Sequence, residues 1–179
     1  MNPYPENIYA TSVDPMHYSH LNTLKLAEKT LGEKVTLLIC KNDLKTNQLF
    51  SIEEREKIAK LFLPSDQIAT AQNYNEIKAY LLNAKKIIRG IRNSEDIQYT
   101  HKLAKYYQVD QHAYYEKLLQ ILVPLQYKKM SSSELKRLVE NGDFLEAEKI
   151  TLPEIIELIK AKCFCSNLVL PSNIFQTLG

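Results

Sequence analysis

The chain has 179 residues, 45% hydrophobic and 25% charged, a balance that suits one soluble domain with a sizeable core and excludes a disordered or fibrous chain. A net charge of +2 excludes a global pull toward nucleic acid or membrane, so any basic function has to be local. No apolar run approaches the roughly 20 residues that span a bilayer, and the N-terminus MNPYPENIYA lacks the basic-then-apolar order of a signal peptide. The cysteines Cys40, Cys163 and Cys165 form no disulfide framework and read as free thiols, so the expected location is a reducing cytoplasm.

Residues 7–13 are short, partly β-branched and stop at Asp-Pro, which predicts a strand. From Ser19 the apolar spacing of Leu21, Leu24, Leu26, Ala27 and Leu31 predicts a helix ending at Gly32. Residues 34–40 are a near-continuous apolar run, as in a buried parallel strand, and a polar loop follows over 41–48. Ser51 with Glu54 three residues on is a capping box, so a second helix opens there. Beyond Pro64, strands are predicted at 68–71 and 86–89, and helices over 75–83 and 94–107, the latter capped by Ser94. A strand over 118–125, a helix over 131–140 closed by Asn141-Gly142, and a helix over 152–162 complete the pattern.

Alternating strands and helices imply right-handed crossovers. The expected fold is α/β: a Rossmann-like, doubly wound, five-stranded parallel sheet flanked by helices. Residues 1–162 would form this single nucleotide-binding domain, with 163–179 a tail of unassigned role. Ligands of such sheets sit outside the carboxyl ends of the strands, which makes the strand-to-helix junctions the places to look.

The first junction, Ser12-Val-Asp-Pro-Met-His-Tyr-Ser-His20, puts His17 and His20 at a helix start, where unpaired N–H groups and the helix dipole favour anions. A phosphate contact, a metal site shared with Asp14 and a plain helix start are all compatible with it. The third junction carries Arg89 and Arg92 three apart around Gly90, and two guanidinium forks suit a polyphosphate. The fourth, Met130-Ser-Ser-Ser133, offers hydroxyls and backbone N–H groups to phosphates, though serine is also a common cap. Tyr127 lies three residues earlier and could stack on a base. The second junction supplies Lys41 and Lys45. Two His, two Arg, a lysine loop and a serine triplet on one rim make a polyphosphate site.

These motifs resemble, in order and spacing, the bacterial phosphopantetheine adenylyltransferases, in the nucleotidyltransferase group with a His-x-Gly-His type signature. Ser12-Val-Asp-Pro…His20 corresponds to that family's Thr-Phe-Asp-Pro…Gly-His, and Leu49-Phe-Ser-Ile-Glu-Glu-Arg55 to its Phe-(Ser/Thr)-x-Glu-Glu-Arg. Ile88-Arg-Gly-Ile-Arg92 with Asp96-x-x-Tyr99 and Met130-Ser-Ser-Ser133 complete the set, which runs from about residue 7 to residue 160.

The resemblance implies transfer of AMP from ATP to 4′-phosphopantetheine, giving dephospho-coenzyme A and pyrophosphate without a covalent intermediate. It implies Mg²⁺ brought with ATP, no metal ligand from the protein, no nucleic-acid or membrane partner, and a homo-oligomer, commonly a hexamer. His20 would stabilise the transition state together with Lys45. Ser12, Lys45, Asn75 and Arg89 would hold the acceptor. Ser12, Val13, His17, His20, Gly90, Ile91, Arg92, Thr100, Tyr127, Met130, Ser131, Ser132 and Ser133 would contact ATP. The chain departs from the family pattern where glycines become Thr11 and Ser19, a Glu becomes Thr100, the apolar acceptor pair becomes Tyr74 and Asn75, and a helix Arg becomes Lys136. Adenylyl transfer to another phosphorylated acceptor, such as nicotinate mononucleotide, and nucleotide binding without catalysis are the alternatives.

Overall fold

Strand β1 (Asn7–Thr11) is buried on both faces, as a strand at the centre of a parallel sheet must be. The computed structural model describes residues 3–41 and 48–164. In chain order the other elements are α1 (Tyr18–Leu31), β2 (Thr36–Cys40), α2 (Ile52–Ala59), β3 (Ile68–Ala71), α3 (Tyr74–Asn83) and β4 (Lys86–Ile91). They continue with α4 (Ser94–Tyr106), α5 (Gln111–Lys117), β5 (Leu118–Leu122), α6 (Ser132–Glu140), α7 (Phe144–Glu148) and α8 (Pro153–Phe164).

The five strands are all parallel, in the order β3-β2-β1-β4-β5. The expected five-stranded, doubly wound α/β sheet is therefore what the chain forms. Because side chains alternate across a strand, Tyr9, Leu37, Ile39 and Ile88 face one core, under α1, α2, α6 and α8. Ile8, Ala10, Leu38, Cys40 and Ile87 face the other, under α3, α4 and α5. The chain runs outward from β1 to β3, then crosses back to β4. The strand order thus reverses between β1 and β4, and the junctions after those two strands flank the crevice where such sheets bind ligands.

Several boundaries differ from expectation. Helix α1 starts at Tyr18, with His17 as its N-cap, one residue before Ser19. Strand β4 runs on to Ile91, so α4 is capped by Asn93 and not by Ser94; the Asn93 side chain accepts the Asp96 amide at 3.1 Å. Helices α5 and α7 were not expected. Asp110 caps α5 by accepting the Ala113 amide at 2.9 Å. Cys40 is buried and Cys163 half-buried on α8, both free, while Cys165 and most of the expected tail lie outside the described residues.

Candidate functional site

The chain leaves β1 through a sharp turn. Val13 sits at φ 37°, a left-handed backbone that a β-branched residue rarely adopts, and its side chain is buried in the core. This turn brings Ser12 to the wall of a cavity of about 550 Å³ over the β1–β4 crevice. Val13, expected against ATP, does not line that cavity.

At the start of α1 the backbone N–H of His17 donates to Nδ1 of His20 at 3.3 Å, and the two rings stack with centroids 3.8 Å apart. An acceptor Nδ1 puts the proton of a neutral His20 on Nε2, so the ring offers one N–H donor. Both histidines line the cavity. His17 is 3% exposed; burial above all, then His20 and Arg92, hold its pKa well below the ordinary histidine value, so it stays neutral.

Neither departure from glycine distorts this turn. Among the described residues the non-glycine positions with positive φ are Val13 and Gln108, so Thr11 and Ser19 occupy backbone that any residue adopts. Both line the cavity.

The β4–α4 junction supplies the arginines. Arg89 donates from Nη1 to the Ala10 carbonyl at 2.8 Å and lies 5.8 Å from the Tyr99 ring centroid. Its Nε is buried without a hydrogen-bond partner, and the residue lines the cavity. Arg92 is fixed by Asp96, which accepts from its backbone N–H at 2.8 Å, its Nε at 3.0 Å and its Nη2 at 2.9 Å. Burial would raise the Asp96 pKa, but these bonds and the Arg92 charge hold it below the usual carboxylate range. Gly90 lines the cavity, yet its missing side chain matters to α1. A Cβ there would stand 3.2 Å from Oγ1 and 3.3 Å from Cγ2 of Thr23. Ile91 and Thr100 do not line the cavity. Thr100 is buried, with Oγ1 donating to the Asp96 carbonyl, so it is turned away from a nucleotide.

At the fourth junction Ser131 caps α6, accepting the Glu134 amide at 3.0 Å. Ser132 Oγ donates to the Pro15 carbonyl at 2.9 Å, and Lys136 Nζ reaches Asp14 at 3.3 Å, so α6 is tied to the β1–α1 turn. Met130 and all three serines line the cavity; Tyr127 does not.

At the end of β2, Lys41 lines the cavity, whereas Lys45 lies outside the described residues. Asn75 is exposed and away from the cavity. Tyr74 also turns away, its ring 5.4 Å from Tyr107 and 5.7 Å from Tyr106. One turn along α3, Ile77 and Leu81 take its place. With Leu103, Tyr107 and Tyr114 they wall a cleft floored by Ala10, Cys40 and Ile87. The cavity thus has a rim of hydroxyls, imidazoles and guanidinium groups and an apolar, aromatic wall between α3, α4 and α5, and Glu95, Gln98 and Lys102 of α4 line it as well. Tyr9, Tyr107 and Tyr114 line it without having been singled out in the sequence. Among the described residues no group of three or more His, Cys, Asp or Glu could hold a metal ion.

The family model described as cytidylyltransferase-like matches residues 8–138. The chain is similar to the phosphopantetheine adenylyltransferase of Blochmanniella pennsylvanica (strain BPEN), 33% identical over 101 residues that make up 55% of this chain and 58% of that protein. It is 30% identical to the phosphopantetheine adenylyltransferase of Coprothermobacter proteolyticus over 167 residues, 87% of this chain and 94% of that one. To that of Clostridium tetani it is 28% identical over 161 residues, 87% and 95% of the two chains. The match therefore spans under two thirds of the Blochmanniella protein's length but nearly the whole of the other two.

Proposed function

The chain belongs to the cytidylyltransferase-like family and, within it, to the phosphopantetheine adenylyltransferases, and from that premise we propose that it transfers the adenylyl group of ATP to the phosphate of 4′-phosphopantetheine, yielding dephospho-coenzyme A and pyrophosphate. The observation that carries this reading is the cavity itself, in which a rim of hydroxyls, imidazoles and guanidinium groups adjoins a cleft walled by Ile77, Leu81, Leu103, Tyr107 and Tyr114, with Glu95, Gln98 and Lys102 of α4 also in its lining. An acceptor with a phosphate at one end and a long uncharged arm at the other suits it. The apolar wall favours the uncharged pantetheine arm over the charged ring of nicotinate mononucleotide.

In the mechanism, an acceptor phosphate oxygen attacks the α-phosphorus of ATP in line. The new P–O bond forms as the bond from the α-phosphorus to the α,β-bridging oxygen breaks, and pyrophosphate leaves with that electron pair. The protein contributes positioning and charge stabilisation. His20 donates from Nε2 to an α-phosphate oxygen as charge builds there. Arg89, Ser12 and a loop lysine hold the acceptor phosphate, and all three positions lie at the ends of β1, β2 and β4. Arg92 and Ser131, Ser132 and Ser133 hold the β- and γ-phosphates.

Mg²⁺ would come as an ion carried by ATP; Asp96 is committed to Arg92 and Asp14 to Lys136, and Glu95 is the further carboxylate in the cavity lining. It supplies charge neutralisation on the phosphates. The reading includes a homo-oligomer, for which Leu122 at the end of edge strand β5 and Leu125 just after it, 77% and 80% exposed, offer apolar surface; light scattering tests it.

The deciding assay is pyrophosphate release from ATP and Mg²⁺, with 4′-phosphopantetheine or nicotinate mononucleotide as acceptor. Release is expected with phosphopantetheine alone, and His20→Ala should lower kcat by about 10²-fold or more with the fold intact. No release with phosphopantetheine would overturn the proposal.

A further inference from the structure

The largest fully buried side chain that the mechanism leaves unused is Arg55, on α2, 1% exposed. A guanidinium taken out of water has to be repaid by hydrogen bonds, and its partners tell what it is for. Nε donates to the Phe50 carbonyl at 2.8 Å. Nη1 donates to the carbonyls of Ser12 at 3.3 Å and Cys40 at 3.4 Å, and Nη2 to Gln48 Oε1 at 2.5 Å. Asp14, 3.7 Å from Nε, balances the charge while accepting the Leu49 and Phe50 amides, each at 2.9 Å.

These partners share one location. The Cys40 and Ser12 carbonyls lie where β2 and β1 end, and carbonyls beyond the last ladder bond need a donor. Ser12 and Lys41, the neighbour of Cys40, both line the cavity. One nitrogen, Nη1, therefore bridges the two strand ends, while Nε and Nη2 of the same plane anchor it to Phe50 and Gln48. The guanidinium makes no hydrogen bond to His20, Arg92 or the serine triplet.

We infer that Arg55 is a positioning residue for the acceptor half of the site, holding Ser12 and Lys41 at the separation an acceptor phosphate requires. This rests on the reading above that this end of the cavity takes that phosphate. A lysine would keep the charge but lose the fork, because a single ammonium cannot serve two strand ends and the loop in one plane.

The test compares the parent protein with Arg55→Lys and Gln48→Ala. It measures KM for 4′-phosphopantetheine and for ATP, calorimetric affinity for phosphopantetheine alone, and the melting temperature. Arg55→Lys is expected to weaken both acceptor constants about tenfold or more, since small misplacements of binding groups cost that much, and to leave KM for ATP within about twofold. Gln48→Ala, which removes one outlying partner, is expected to move the acceptor constants in the same direction by less. Adding guanidinium ion at millimolar concentration to a folded Arg55→Ala variant should partly restore the acceptor KM.

Equal losses for ATP and acceptor, or a lowered melting temperature with acceptor constants unchanged, would overturn the inference. If Arg55→Lys does not fold, an unchanged acceptor KM and affinity in Gln48→Ala would overturn it. A parent that turns over while Arg55→Lys behaves identically refutes the inference alone. A parent that neither binds nor adenylylates phosphopantetheine refutes the proposed function and the inference with it.

Discussion

Acid destabilisation through His17 can be worked from the structure. The ring is enclosed at the N-cap of α1, stacked on His20 and facing Arg92, and burial is the chief reason its pKa lies well below 6.5. In the folded protein it stays neutral as pH falls through 6.5, while in the unfolded chain it takes up a proton near that value. The unfolded state then binds more protons, so stability is full above 6.5 and declines as pH drops toward the folded pKa. One proton gives a slope of at most about 1.4 kcal/mol per pH unit, or up to about 2 kcal/mol between pH 6.5 and about 5. Urea unfolding of the parent and of His17→Asn at a series of pH values isolates the stacked histidine pair, because titrating groups away from it cancel in the difference. The asparagine variant should be less pH-sensitive by that amount across the window. Parallel stability curves for the two proteins would refute the reasoning.

Other changes bear on the same cavity. Gly90→Ala drives a methyl group against Thr23 and should cost about 1–3 kcal/mol by overpacking, measured by thermal unfolding and largely relieved in a Gly90→Ala, Thr23→Ala double variant. Asp96→Asn removes the carboxylate that orients Arg92 and should raise KM for ATP by about tenfold, with a smaller effect on the acceptor KM. Lys41→Met should raise the acceptor KM more than the ATP KM, and comparison with Lys45→Met in the same steady-state assay identifies the loop lysine that serves the phosphate.

The phosphate rim was legible in the sequence because strand-end junctions carry their chemistry locally. Once Arg89, Arg92 and the serine triplet are assigned to the carboxyl ends of parallel strands and the loops after them, the sheet delivers them to one side whatever the packing beneath. Even there the neighbours needed the fold: Asn93 displaces Ser94 as cap because β4 runs on to Ile91, and Thr100 is drawn inward by its bond to the Asp96 carbonyl.

The apolar cleft proposed for the acceptor was not legible, because it depends on how three helices turn over one face of the sheet. Tyr74 and Asn75 stand where an apolar pair was expected and suggest a more polar pocket. The tyrosine instead packs against Tyr106 and Tyr107, the asparagine faces solvent, and Ile77 and Leu81 supply the apolar wall. Its other wall includes Tyr114 from α5, a helix of seven residues too short for a periodic signal. The substitutions at Thr11 and Ser19 carry the same lesson in reverse. They look like lost glycines in the sequence, yet the backbone there needs no glycine, and Ser19 lends its carbonyl to the Thr23 hydroxyl at 2.9 Å. The glycine on which packing depends is Gly90, where any Cβ would press on that same threonine.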